Sequence, residues 1–411
     1  MLSLFNTLSR KVEPFQSAEP LKVKMFSCGP STYQPAHIGN YRTFLFEDVL
    51  QRYLEYLGYQ VNRAMTLTDV EDKAVKQAKI ENVTVEGLTA KNEAVFFKDF
   101  ELLRIKKPIH IVRASSATDQ AVRLITKLVD SGQAYYYFYK GEKNVYFDPQ
   151  RFGGFGKLAH LDMSKWPKKK RRFHRDTYPG TPWNKGDFIL WHGCENADFC
   201  YKTPIGSGRP AWNIQDAAIV TKTLGFTIDL ACGGIDNLVR HHDYTLSIAE
   251  AASGEPFSRF WVHGAHLFVN GEKMSKSKGN IYYPCDLTMK GISGSQIRFF
   301  LIYGHYRQKL NFTWGEIKQA SEKLESLRKM VCDLQRVKPT RGCSKQETLT
   351  IKLTDDFEKK MNNDLDVKGA FDCLFETVSE LHTKRETLEA GNIKSIFGRL
   401  SRIDSVLQCI F

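Results

Sequence analysis

The chain has 411 residues, long enough for two or three domains and a large core. A hydrophobic fraction of 42% with 26% charged residues is that of an ordinary soluble globular protein, and no apolar run reaches membrane-spanning length. The 59 lysines and arginines exceed the 46 acids, a formal net charge of +13 that suits a polyanionic partner without requiring one.

The start, MLSLFNTLSRKVEPF, has too short an apolar stretch for a signal peptide, so a cytoplasmic location is expected. Nine cysteines without CxxC argue against a self-contained zinc ribbon and for mostly reduced, packed thiols. The spacing of Cys194 and Cys200 reads as chance.

Leu21–Cys28 reads as a strand that gives way to Gly-Pro-Ser. Phe44, Leu45, Val49, Leu50, Tyr53 and Leu57 recur at helical spacing, so a helix is expected from Asn40 to Leu57, closed by Gly58. Val61–Leu67 follows as a strand, making a βαβ unit and hence a parallel sheet. Thr118–Asp130 reads as a helix, Ala134–Asp148 as a hairpin about Gly141, and Lys165–Gly186 as a long exposed loop. Phe226–Cys232, a helix over Asp243–Ala252 and Phe260–Phe268 then form the second half of a split doubly wound fold. Beyond Ile292 the pattern predicts helices over Ile297–Leu310, Trp314–Leu334, Leu349–Leu381 and Ile393–Leu407, with a linker at Arg336–Glu347.

His37-Ile38-Gly39-Asn40 opens a helix directly after a strand. Glycine lets a nucleotide approach the backbone, the helix N-terminus favours phosphate, and His37 can donate to a phosphoryl oxygen. Alone, a surface histidine beside glycine is commonplace. Further on, Glu272-Lys273-Met274-Ser275-Lys276-Ser277-Lys278-Gly279-Asn280 carries three lysines in a small polar loop. Mobile ammonium groups of this kind can close over a triphosphate and neutralise departing pyrophosphate. A solvated lysine loop would explain the second segment by itself, but not HIGN and KMSKS in this order.

Through these segments, with FSCGPSTYQPAHIGN, MTLTDVEDKAVKQA, GRPAWNIQDAA and GGIDNLVRHHDYT, the sequence resembles the class I aminoacyl-tRNA synthetases, specifically the cysteinyl-tRNA synthetases. The resemblance runs from about Leu21 to the end. It implies an α/β fold: a Rossmann-like (HUP-type) doubly wound parallel sheet over 1–290 with a connective insert about 106–190, then a helical bundle over 291–411. It implies ATP with Mg²⁺, an amino acid and the acceptor end of tRNA as partners. His37, Asn40, Lys273 and Lys276 would be catalytic. ATP would contact Gly29, Thr32, Gly39, Gly233 and Gly234, and Asp236 would hold the ribose. Cys28, Thr68 and Trp212 would line the amino-acid pocket.

In that family two cysteines, a histidine and a glutamate hold a zinc ion that selects a substrate thiolate. Here the matching positions are Cys28, Asp216, His241 and Thr245, and a further pocket histidine falls on Ala231. Two ligands are changed. Zinc on Cys28, Asp216 and His241, replacement of a lost ligand by Cys232 or Asp243, and a metal-free pocket reading a polar side chain through Asp216 and Thr245 all stay open. A metal-free pocket is the expectation, because threonine is a poor zinc ligand and Ala231 alters the wall too. Members of that family usually carry a small anticodon-reading domain after the bundle, and none is expected here. Besides a tRNA ligase with altered amino-acid choice, an amino acid–amine ligase of the mycothiol-ligase type and a non-catalytic tRNA-binding paralogue therefore remain. The run Lys168–Arg172, with Phe173 and Arg175, suits an acceptor stem, where charge gives affinity without base readout.

Overall fold

The computed structural model describes residues 1–176, 185–195, 199–275, 278–339 and 347–411. Its centre is a parallel sheet of five strands: β1 (Lys22–Ser27), β2 (Gln60–Leu67), β3 (His110–Arg113), β4 (Ile228–Gly234) and β5 (Ser258–Gly264). Their spatial order is β5-β4-β1-β2-β3, and every neighbouring pair is parallel. The chain leaves β1 through helix α1 (Ile38–Tyr56) to build one side, then returns to build the other beyond β4.

Side-chain parity along β1 separates two cores. Val23 and Met25 join α1 and the C-terminal helices, whereas Phe26 and Cys28 face α2 (Trp212–Thr223) and α3 (Asp243–Ser253). On β4, Ala231 lies on the Cys28 side and Cys232 on the α1 side. Cys232 therefore points away from the expected pocket and cannot replace a lost ligand there.

Hydrogen bonding draws the insert differently from the expected 106–190. His110–Arg113 belongs to the parallel sheet, while an antiparallel sheet runs from the hairpin Ala134–Tyr139/Glu142–Phe147 through Asp187–Gly193 to Gly208–Pro210. Cys194 and Cys200, expected to be unrelated, form a disulfide beside the last turn of this sheet. The helix expected over Ile297–Leu310 spans Gly294–Ile302, and Leu310–Phe312 is instead a strand parallel to Leu267–Val269. Leu349–Leu381 is two helices, Glu347–Met361 and Val367–Thr383. Among the described residues no helix is long and apolar enough to cross a membrane.

Arg298 locks the C-terminal helices to the sheet. Its guanidinium meets Asp48 of α1 at 2.6 Å and donates to the carbonyls of Leu103 and Leu407, with both charged side chains fully buried. On the other edge of α1, Glu47 pairs with Arg63 of β2 at 2.9 Å, and burial pushes the Glu47 carboxyl up to about 7. These pairs fix α1 against both the sheet and the helical region, and α1 carries the His37 turn at its N-terminus.

Candidate functional site

β1 and β4 are neighbours, yet the chain proceeds from them in opposite directions across the sheet. Their carboxyl ends therefore open a crevice at the topological switch point, where open α/β sheets bind ligands. Cys28 and Gly29 leave β1 there, and Gly233–Gly234 end β4. Gly29 is required: a Cβ would lie 1.6 Å from the Thr66 carbonyl oxygen. Its N–H donates to Thr66 Oγ1 at 3.1 Å, and Thr32 N–H to the Thr68 carbonyl at 2.9 Å, so the loop follows β2. The Thr32 hydroxyl is buried and also donates to Thr68 O, which takes it out of the cavity wall; Gly29 and Thr68 remain in it.

His37 is the N-cap of α1. Its Nδ1 accepts from the Asn40 N–H at 3.3 Å, and Asn40 Oδ1 accepts from the His37 N–H at 3.0 Å. The reciprocal bond fixes the histidine tautomer, leaving Nε2 to carry the proton and the Asn40 amide nitrogen free to donate. Burial lowers the His37 pKa, against an opposing pull from Asp236, so the neutral donor form prevails. The N–H groups of the first turn of α1 and its dipole share this corner.

The lysine loop meets the same corner. A Cβ on Gly39 would stand 2.3 Å from Met274 Cε, and Ile38 N–H donates to Tyr282 O at 2.9 Å. Lys273 lies in the short strand Glu272–Lys273, is exposed, and pairs with no acid among the described residues. Ser275 N–H donates to Asn280 Oδ1 at 2.8 Å, which ties the loop's start to its end. Lys276 falls outside the described residues. Two adjoining cavities, of about 250 and 130 Å³, share His37, Asn40, Thr43, Gly234 and Asp236 in their walls; Lys273, Met274 and Gly39 also line the smaller, with the segment 264–267. Gly234 lacks the Cβ that would lie 2.5 Å from Asp236 Oδ1, so the exposed Asp236 carboxylate folds across the strand end.

Behind the larger cavity stand Cys28, Asp216 and His241. Donor atoms of all three lie within 4.8 Å of one another and all three residues are buried. His241 Nε2 and Asp216 Oδ2 approach to 2.6 Å, yet neither makes an aligned hydrogen bond. Trp212 stacks on His241 with ring centres 3.9 Å apart and 7° between planes. Asn237 donates to Cys28 Sγ at 3.5 Å. Burial first, and then the Asp216 charge, push the Cys28 thiol well above its usual range. Thr245, one turn after His241, is buried with an unpartnered hydroxyl; neither it nor Ala231 reaches the cavity wall. Asp243 does not join this group, since its carboxyl faces the backbone of Gly156 and Leu158 and burial raises it to about 7.

Two contributors carried no local sequence signal. Asn237 reaches Cys28 across 209 positions, and Asp176 accepts from the Trp212 N–H at 2.9 Å while also bonding Asp72 and His192. Asp72, Asp176 and His192 form a second group with metal-like spacing, but Arg209 pairs with Asp72 and lies 3.8 Å from Asp176, so a guanidinium already supplies the positive charge.

The model of the family described as tRNA synthetases class I (C) catalytic domain matches residues 14–322. A cysteine–tRNA ligase of Brachyspira hyodysenteriae is 35% identical over 98% of this chain and 85% of its own length. One from Solibacter usitatus is 36% identical over 100% of this chain and 87% of its own. Among solved structures, the Mycobacterium tuberculosis methionyl-tRNA synthetase in complex with methionyl-adenylate superposes with a TM-score of 0.66 at 15% identity, covering 95% of this chain and 90% of that one. At that identity the likeness is one of fold.

Proposed function

The chain belongs to the cysteinyl-tRNA synthetases of class I, and from that premise we propose that it activates cysteine with ATP and transfers the cysteinyl group to the 3′ end of a tRNA. The observation that carries this reading is the shared cleft: the His37 turn, Asp236 and the Lys273 segment wall a single space at the sheet's switch point. Asp236 would take the ribose hydroxyls, which leaves the triphosphate lying along the N-terminus of α1 towards Lys273. The amino-acid carboxylate then attacks the α-phosphorus, the bond to the bridging oxygen breaks, and pyrophosphate leaves. His37 Nε2–H and the Asn40 amide donate to phosphoryl oxygens as charge develops, while Lys273 and Lys276 neutralise the departing pyrophosphate. ATP enters as its magnesium complex. In the second step a terminal ribose hydroxyl of the tRNA attacks the cysteinyl carbonyl and AMP leaves.

For the amino-acid side we favour zinc over the metal-free pocket expected from sequence. Cys28, Asp216 and His241 would hold it, and the ion would supply a soft centre for a substrate thiolate that a serine hydroxyl cannot match. Three protein donors with one open position is the arrangement of a zinc site that binds its substrate. The convergence of donor atoms from Cys28, Asp216 and His241 within 4.8 Å in a buried space supports this, since Asp216 Oδ2 and His241 Nε2 otherwise meet at 2.6 Å without an aligned hydrogen bond. Trp212 fixes the His241 ring, and Asn237 N–H stabilises negative charge on the Cys28 sulfur. Cytoplasm is the compartment this reading implies.

Incubating the preformed adenylate with total tRNA tests the acceptor. Cysteine should appear on the RNA 3′ end; discharge by small amines but not by RNA would instead point to an amine ligase.

A further inference from the structure

We infer that Asp176 is a positioning residue for the amino-acid pocket, one buried carboxylate that caps the two helices walling it; this rests on the cysteine-activating reading above. Helix Asp72–Glu81 and helix α2 both begin beside the larger cavity. The first follows Thr68 and carries Lys73, and the second carries Trp212 at its first position and Asp216 one turn on. A helix start leaves N–H groups without intrahelical partners, and the side chain of the N-cap residue usually takes one of them. Here neither N-cap residue, Glu71 or Ala211, makes a side-chain bond to its own helix. Asp176 serves both. Its Oδ2 accepts from the Asp72 N–H at 3.2 Å and its Oδ1 from the Trp212 N–H at 2.9 Å, each N–H belonging to the first residue of its helix. The Asp72 carboxylate returns the bond, accepting from the Asp176 N–H at 3.1 Å.

The capping anion is itself held in place. Its side chain is fully buried, Oδ1 also meets His192 Nε2 at 3.0 Å, and Oδ2 lies 3.8 Å from the guanidinium of Arg209, which pairs with Asp72 as well. His192 and Arg209 stand opposite each other on neighbouring strands of the inserted sheet, so that sheet brings both to one point. Burial opposes the charge on Asp176, but His192, Arg209 and the Trp212 N–H together hold its carboxyl well below the usual carboxylate range. The two helix N-termini, each a partial positive charge, act in the same sense. From here the effect reaches the substrate through α2. The Trp212 ring stacks on His241, and Asp216 follows on the same helix, so a shift at the start of α2 moves two of the three donors that face the substrate thiol. Asp176 itself lines neither cavity and acts only through Trp212 and Asp72.

The test compares the parent with Asp176→Ala and Asp176→Asn in cysteine-dependent ATP–pyrophosphate exchange. KM is determined separately for cysteine and for ATP, and zinc retention is measured against a chelator. Asp176→Ala should raise the KM for cysteine at least about tenfold and weaken zinc retention by about 10–100-fold, the range for losing a group behind the ligands, with the KM for ATP unchanged. Asp176→Asn keeps one oxygen for the Trp212 N–H and should recover part of both losses. Arg298→Met, which lowers stability away from the pocket, should move neither KM. A cysteine KM unmoved in Asp176→Ala, or equal rises in both constants, overturns the assignment, because a merely structural cap changes the melting temperature without separating the two substrates. Should Asp176→Ala not fold, Asp176→Asn is read alone for the same separation at smaller size. A parent without zinc whose cysteine KM still rises on substitution removes the metal from the pocket and keeps Asp176 in its role. A parent that exchanges with no amino acid removes the cysteine-activating reading, and this role with it.

Discussion

Gly39→Ala isolates the contact between the two nucleotide motifs. The added methyl would stand 2.3 Å from Met274 Cε, well inside the van der Waals contact that begins near 3.4 Å, and 3.1 Å from the His37 ring. Met274 Cε must therefore retreat by about 1 Å, which shifts the wall of the smaller cavity between His37 and Lys273. Folding should not suffer: Gly39 lies within α1, where alanine gains up to about 1 kcal/mol over glycine, and the clash is with the end of a flexible side chain. A displacement of this size at a positioning group lowers rate by about 10²-fold. The expected outcome is an unchanged or slightly raised melting temperature with pyrophosphate exchange reduced by about that factor. Adding Met274→Ala removes the clashing methyl and should restore much of the loss, a coupling of about 0.5–3 kcal/mol in a double-mutant cycle. Wild-type exchange in Gly39→Ala, or strictly additive effects in the double variant, would refute the claim that the helix turn and the loop act as one clamp.

Metal analysis of the purified protein should find one zinc per chain, lost in His241→Ala and retained in Thr245→Ala; equal metal content in all three would remove the three-donor site. Arg298→Met leaves Asp48 buried with only Arg52 as charged partner, and should cost about 3 kcal/mol by denaturant unfolding while exchange per folded molecule is kept. A loss below about 0.5 kcal/mol would contradict its place as the lock between sheet and helices. Burial depresses His263 to about 3, so the unfolded chain binds its proton first as pH falls below about 6.5. The stability it contributes is present above that pH and is lost on acidification. Between pH 7 and pH 5 the stability of the wild type should fall by about 2 kcal/mol more than that of His263→Gln. Parallel pH curves for the two proteins would contradict that burial.

Four strands of the parallel sheet and α1 were legible because their apolar positions follow clean periods, and the two nucleotide motifs because residue type and chemistry coincide there; the fifth strand, His110–Arg113, is too short to show a period and was read as part of the insert. α2 was not, since WNIQDAAIV is buried nearly all round and shows no amphipathic stripe. Leu310 continues a helical spacing from Ile297, but pairing with Leu267 turns it into a strand; tertiary partners overrode local pattern. In the pocket, Cys28, Asp216 and His241 came from the resemblance, and their convergence gives the altered ligand set its meaning. The positions of Asn237 and Asp176 depend on contacts between distant segments, which no spacing along the chain encodes. Strand parity, visible once β1 and β4 are paired, removed Cys232 from consideration.

Amino-acid-dependent ATP–pyrophosphate exchange, measured across the protein amino acids with Lys273→Ala and His37→Ala beside the parent, addresses the clamp most directly. Cysteine should drive exchange in the parent, serine should fail, and each substitution should slow the cysteine reaction by at least about tenfold, or 1.4 kcal/mol. Exchange absent with every amino acid, or unaltered by both substitutions, would mean that the histidine turn and the lysine segment do not grip a common triphosphate.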